Sequence, residues 1–259
     1  MQENLEQDSK PAPVEEKTGW KHDAMEWAKT IVAAFGAYIV FTTVAFANYR
    51  IPSESMVPHL EVGDRVVVSK FAYGYSRYSL PFDLGRFLPA SAHRFMESYP
   101  RRGDVVVFIH PISGETLIKR AIGLPGDTIE MRNGYLWLNG ARVPTSQPQT
   151  LMRAAYQDGR EFAQRYEESL PNGYTHAVHN LTDDSPFDNF GPYVVPPGHV
   201  FFMGDNRDNS LDSRSAEGPA PVENLIGRAE IVYYVNPFGC GHDPTVACPM
   251  PRWMRPLHH

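Results

Sequence analysis

"TIEMRNGYLWLNGARVP", Thr128 to Pro144, decides the fold class. TIEMR and YLWL are short β-branched, aromatic and aliphatic runs that meet at Asn133-Gly134, a pair that tolerates the left-handed backbone of a two-residue hairpin turn. Asn139-Gly140 places a second turn close behind, so the segment reads as an antiparallel meander. The same pattern extends outward in "DRVVVSKFAYG" (64–74), "GDVVVFIHP" (103–111), "GETLIKRAIGLPGD" (114–127), "HVFFMGD" (199–205) and "LIGRAEIVYYVNP" (225–237), each bounded by Gly, Pro or Asp. The fold class is therefore mostly β. It comprises an antiparallel β-sheet domain formed by 50–129 and 198–259, the latter ending in a tail, with an inserted second β-rich lobe at 130–197. Within the insertion, Ser146 to Asn189 is polar and spotted with aromatics, and Leu151 to Ser169 reads as partly helical.

The amino-terminal part follows different rules. Residues 1–24 are polar, acidic and proline-bearing, with no apolar period, and read as a mobile tail. Thr30 to Tyr49, "TIVAAFGAYIVFTTVAFANY", holds twenty residues without a charge between Lys29 and Arg50. A helix of that length spans about 30 Å, the hydrocarbon thickness of a bilayer, so 25–49 is expected to be one transmembrane anchor helix. Lys17, Lys21 and Lys29 precede it and only Arg50 follows closely, which puts the amino terminus inside and the rest outside. A cleavable secretory signal is the competing reading, because "AFA", Ala45 to Ala47, fits the small-x-small pattern; the apolar core is longer than a signal's. The same "AFA" raises the hypothesis that the chain is cut after Ala47. Between Phe71 and Tyr99 lie eight Phe and Tyr residues, suited either to a lipid interface or to core packing.

Composition narrows the function classes. The 259 residues, 42% of them hydrophobic, are enough for a substantial core. A formal net charge of −6 without any clustered basic excess leaves no footprint for nucleic acid. Six lysines stand against eighteen arginines, and only Lys70 and Lys119 follow the apolar segment. Unlike arginine, a buried lysine can lose its proton. Cys240 and Cys248, in "GCGHDPTVACP", read as a small disulfide loop; a metal site with His242 would lack a fourth ligand and the paired spacing.

Three constellations could carry chemistry. Ser55 lies in "IPSESMVP", where Pro52 and Pro58 restrict the backbone on both sides; that suits a nucleophile and equally an inert turn. A serine hydroxyl needs a base, and His59, Lys70 and Lys119 are the candidates. The G-x-S-x-G elbow is absent from this stretch. Strand alternation places Leu117, Lys119 and Ala121 on one face; if that face is buried, desolvation yields a neutral amine, and if it is an edge, the lysine reaches out to water. The third stretch, "MGDNRDNSLDSRSAEG" (203–218), resembles a calcium loop in composition only. Aligned on Asp205, Arg207 falls on a ligand position and Ser210 where the turn glycine belongs. The other reading of the stretch is a scaffold in which Asp212 pairs with Arg214 and Ser210 offers a hydroxyl.

Taken together, "PSESMVPHLEVGD", "RRGDVVVF", "LIKRAIGLPGD" and "GDNRDNSLDSR", in this order after an anchor, resemble the bacterial type I signal peptidases, membrane-anchored serine-lysine endopeptidases. The resemblance covers roughly 50–130 and 198–235. It implies that Ser55 is the nucleophile, Lys119 the general base, and the Ser53 hydroxyl with the Ser55 N–H the oxyanion hole. It further implies that Ser210 orients the lysine amine, that Asp212 and Arg214 form a supporting pair, and that Ile51, Pro52, Met56, Leu60, Leu117 and Ile118 wall apolar pockets for small side chains. His59 stands where the family commonly has threonine. The implied function is removal of signal peptides from exported preproteins after Ala-x-Ala type sites, without metal or cofactor. The implied location is the bacterial inner membrane, single-pass, with a cytoplasmic amino terminus and an extracytoplasmic catalytic domain facing its preprotein partners and the lipid bilayer. Two rivals are a membrane-tethered, non-enzymatic β-domain that binds an exported partner, and a serine-lysine protease of narrow specificity.

Overall fold

The computed structural model describes residues 19–80, 85, 87–89, 94–155, 159–216, 218–235 and 255–257. Two compact units divide at Phe41–Thr42. The first is helical: α1 runs Trp20–Ala45, and its stretch His22–Phe41 is long and apolar enough to cross a membrane. The sequence placed Phe46 to Tyr49 in the apolar span, but they are the first residues of strand β1 (Phe46–Arg50). The helix gives way there because "FANYR" meets an extended partner. β1 pairs antiparallel with β2 (Arg65–Ser69) in continuous register, Phe46 opposite Ser69 and Arg50 opposite Arg65, and the Lys70 N–H donates to the Ala45 carbonyl at 2.9 Å. Ala47 of the "AFA" motif is thereby held opposite Val68.

The remaining strands are β3 (Val105–Ile109), β4 (Thr116–Gly123), β5 (Thr128–Arg132), β6 (Tyr135–Leu138), β7 (Ala141–Arg142), β8 (Gln149–Ala155), β9 (Gly159–Ser169), β10 (Thr175–Asn180), β11 (Phe190–Val194), β12 (His199–Met203), β13 (Ala220–Pro221), β14 (Leu225–Tyr234) and β15 (Arg255–Pro256). An eight-stranded sheet has the order β1-β2-β14-β3-β4-β12-β13, with β15 on β14; β11-β5-β6-β7 and β10-β9-β8 form two further antiparallel sheets. The mostly β architecture expected from the turn signals is the one observed. Asn133 (φ 48°) with Gly134 (φ 78°), and Asn139 (φ 54°) with Gly140 (φ 80°), adopt the left-handed pairs that fold β5, β6 and β7 into the expected meander.

Helix is not what 151–169 forms. β8 and β9 are strands of a hairpin, paired from Gln149 opposite Arg165 to Ala155 opposite Gly159, and β10 pairs the other edge of β9. The Ala, Glu, Gln, Arg and Met content of this segment favours helix locally. Pairing on both edges overrides that preference, and β9 then buries Tyr166 and Glu168, two positions apart, with Leu170 buried just beyond its end.

Three apolar clusters hold the strands. One packs Val66, Val68, Val105, Val107 and Ala229 of the large sheet with Ile51, Met56 and Leu60 from the turn after β1. A second joins Ile122, Phe201 and Met203 of β4 and β12 to Ile129, Met131, Leu136 and Leu138 of the meander, so the four-stranded sheet shares a core with the large one. The third lies on the other face around Val106, Phe108, Ala121 and Phe202, with the rings of Phe108 and Phe202 stacked at 4.3 Å. β4 therefore carries apolar packing on both faces, and its polar side chains at 119 and 120 are sealed within.

Candidate active site

Ser55 sits in a single 3-10 turn, Glu54–Met56, that follows an extended Ser53 (φ −138°, ψ 166°). Pro52 and Pro58 flank the turn, and backbone bonds close it: Ile51 N–H to the Asp64 carbonyl and Gly63 N–H to the Ile51 carbonyl, both 2.8 Å. Met56 and Leu60, each 0% exposed, pin it to the first core cluster. The Ser55 carbonyl accepts from the Asn206 N–H at 3.1 Å, and the Asn206 side chain donates to the Glu54 carbonyl at 3.3 Å. Thus the nucleophile candidate is clamped from the "GDNRDNS" segment as well as from its own turn.

Of the three candidate bases, the structure brings Lys119 to Ser55. Lys119 lies on β4 opposite Val106 and reaches Ser55 with Nζ 2.7 Å from Oγ; its other contact is the Ile118 carbonyl at 3.1 Å. Lys119 is 3% exposed and Ser55 6%. Burial pushes the Lys119 amine down from the usual 10.5 to about 8, against the pull of the Asp212 and Asp205 carboxylates, which favour its ammonium. Ser53 Oγ lies 3.3 Å from Ser55 Oγ. Lys70 is buried at the end of β2, where its N–H is tied to Ala45. His59, four residues beyond Ser55, has its imidazole Nδ1 3.6 Å from Asp205 Oδ2.

Behind the lysine, Asp212 gathers the third sequence constellation. Its carboxylate accepts from Ser210 Oγ at 2.8 Å, the Gly204 N–H at 2.9 Å, the Arg214 N–H at 3.1 Å, and Arg214 Nε and Nη2 at 2.9 and 2.8 Å. Burial opposes its charge, but Arg214 and the backbone donors outweigh burial and hold the carboxyl below its ordinary range. Gly204 is glycine because nothing larger fits. A Cβ there would stand 2.2 Å from Ser210 Oγ and 2.4 Å from the Ser55 carbonyl oxygen, so the scaffold and the nucleophile's turn meet at this residue.

The apolar residues assigned to substrate pockets divide. Ile51, Met56, Leu60 and Ile118 pack together in the first core cluster; Leu117 is half-buried against the third, and Pro52 is exposed. Cys240 and Cys248 lie outside the described residues, as does the tail 1–18. Among the described residues, no group of three or more His, Cys, Asp or Glu is disposed to hold a metal ion.

Sequence reasoning missed a second buried network beside the first. Arg120 (0% exposed) grips Asp205 with Nε and Nη2 at 2.7 and 2.6 Å and donates through Nη1 to the Gly103 carbonyl and the Tyr174 hydroxyl. Arg207 makes the corresponding two-pronged contact with Glu168 of β9. His176 of β10 stands between the pairs, 3.5 Å from Glu168 and 3.7 Å from Asp205, and burial together with both guanidiniums pushes it well below the ordinary imidazole range. Two charged residues adjacent in a strand, Lys119 and Arg120, were the available signal. The pairs themselves, Arg207–Glu168 and Arg120–Asp205, join residues 39 and 85 positions apart and leave no signal in sequence.

Residues 24–234 match the family described as signal peptidase, peptidase S26. Signal peptidase I of Rickettsia typhi (strain ATCC VR-144 / Wilmington) is 33% identical over 220 residues, which cover 80% of this chain and 81% of that protein. Signal peptidase I of Rickettsia canadensis (strain McKiel) is 33% identical over 221 residues, covering 83% of this chain and 81% of that one.

Proposed function

We propose, from the premise that this chain belongs to the signal peptidase family, peptidase S26, that it is a membrane-bound serine endopeptidase that removes amino-terminal signal peptides from exported preproteins after Ala-x-Ala type sites. The observation that carries the reading is the 2.7 Å approach of two buried groups, Ser55 Oγ and Lys119 Nζ. A neutral Lys119 amine takes the Ser55 proton as the oxygen attacks the scissile carbonyl, and an ester to Ser55 forms. The resulting ammonium gives its proton to the departing amine. A water activated by the same lysine then cleaves the ester and regenerates Ser55.

The Ser55 N–H and Ser53 hydroxyl receive the oxyanion, a role in which one donor is worth about 3 kcal/mol. Ser210 acts on the lysine through Asp212, which Arg214 fixes in place. Ile51, Pro52, Met56, Leu60, Leu117 and Ile118 supply the apolar walls that select small side chains. The route uses no metal and no cofactor. α1 is the single anchor, with the amino terminus cytoplasmic and residues 50–259 outside the inner membrane. A substrate held in the same bilayer meets the site at raised effective concentration.

The test is incubation of the purified full-length chain in detergent with a preprotein bearing an Ala-x-Ala site, for wild type and Ser55→Ala, with products read by mass spectrometry. The proposal expects one cut after the second alanine by wild type and none by Ser55→Ala. Wild-type cleavage surviving in Ser55→Ala contradicts it.

A further inference from the structure

His59 is the imidazole beside the site that solvent can reach. Its side chain is 16% exposed, whereas its neighbour Asp205 is 1% exposed. Together with Pro58, Arg165, Glu167, Thr175 and His176 it lines a small cleft of about 100 Å³. The charged and titratable groups that face it come from every element around that cleft. Arg165 and Glu167 of β9 pair with one another at 3.1 Å. His176 of β10 is held neutral by burial and by Arg120 and Arg207. Asp205, from the turn after β12, is held by Arg120 of β4, whose Nη2 shares Oδ2 with the His59 imidazole, and Glu168 beyond His176 is taken up by Arg207.

Asp205 connects this cleft to the reacting atoms in two ways. Its charge is one of the two that favour the ammonium of Lys119. Its neighbour Asn206 holds the Ser55 carbonyl. A positive charge placed on the His59 side of Asp205 opposes the first of these effects.

We propose that His59 is a proton-linked positioning residue for the peptidase reaction, a role that rests on the Ser55–Lys119 reading: its imidazolium, formed against Asp205, offsets that carboxylate's charge and keeps the Lys119 amine available as base in mildly acidic surroundings. Above the range where His59 is protonated the residue has no effect on the lysine. Below it, each enzyme molecule carrying the imidazolium releases the Lys119 proton more readily than one without it. As a general scale, two like unit charges within about 10 Å of one another at an effective dielectric of about 20 are coupled by about tenfold or more. Linkage makes the effect reciprocal, so the Lys119 ammonium must disfavour the imidazolium to the same degree.

Two measurements on the full-length protein in detergent decide it. The first is kcat/KM on the Ala-x-Ala preprotein from pH 5.5 to 8.5 for wild type and His59→Asn. Equal rates at pH 8.5 are expected, with the variant falling progressively below wild type as pH drops toward 5.5, by several-fold and at most about tenfold. A ratio constant across pH, whether unity or a uniform loss, marks His59 as merely structural and overturns the proposal. The second is the NMR titration of the His59 imidazole in wild type and in Lys119→Met. Its midpoint is expected to rise by about one pH unit when the ammonium is removed, and an unmoved midpoint overturns the coupling. Absence of cleavage by wild type at every pH refutes the peptidase reading alone, since the NMR titration still answers for His59.

Discussion

Replacing Gly204 with alanine tests how the scaffold and the nucleophile share space. The added Cβ would lie 2.2 Å from Ser210 Oγ, 2.5 Å from Ser210 Cβ and 2.4 Å from the Ser55 carbonyl oxygen. Favourable contacts between heavy atoms are about 3.5 Å, so neighbours must withdraw by about 1 Å. Ser210 can turn only by releasing Asp212, which its hydroxyl reaches at 2.8 Å. The Ser55 carbonyl can retreat only by moving the peptide of the nucleophile away from the Asn206 N–H. Overpacking of this kind destabilises by about 1–3 kcal/mol, and a shift of about 1 Å at a reacting atom lowers the rate by about 100-fold. Denaturant unfolding and kcat/KM on the Ala-x-Ala preprotein measure both effects. Ser210→Ala on top of Gly204→Ala removes the Oγ clash but not the one with the Ser55 carbonyl, so part of the stability returns while the rate stays low. Wild-type rate and stability in Gly204→Ala would refute the close packing of 55, 204 and 210.

Two further substitutions probe the buried charges. With its amine at about 8 when folded and 10.5 when free, Lys119 binds its proton more tightly in the unfolded chain; this opposes folding in full below pH 8 and fades as pH rises to 10.5. Lys119→Met should therefore be more stable than wild type by about 3 kcal/mol at pH 7, with the gap closing toward pH 10.5, in guanidinium unfolding at a series of pH values. Equal stability at pH 7 would show that the amine is not desolvated. Glu168→Gln leaves the guanidinium of Arg207 buried without its counter-charge and should destabilise by about 3–5 kcal/mol in the same assay, whereas a loss below about 1 kcal/mol would mean that the pair does not tie β9 to the site.

Much of this architecture was legible because its signals are local. Asn133-Gly134 and Asn139-Gly140 declare their turns through their own backbone preferences, and runs such as "VVVFI" declare strands through side-chain shape. β8 and β9 were not legible, since their residues favour helix and only the pairing with each other and with β10 makes them strands. At the site, the residues alone left His59, Lys70 and Lys119 open as bases for Ser55. Choosing among them needs a contact spanning 64 residues, which the family motifs supplied by resemblance and the folded sheet supplies as the Lys119–Ser55 distance. Glu168 and His176 carried no motif. Their place beside Arg207, Arg120 and Asp205 arises only when β9 and β10 fold against the segment after β12.

The pH dependence of kcat/KM for preprotein cleavage, in wild type and Lys119→Arg, tests the neutral-lysine base most directly. Because the amine must lose its proton before it can accept that of Ser55, wild-type activity should rise with pH to a half-maximum near the Lys119 value of about 8. Lys119→Arg keeps the charge but cannot serve as a neutral base, and should be inactive at every pH with its fold intact. Activity retained in Lys119→Arg, or a wild-type profile that is flat through pH 8, would contradict the account.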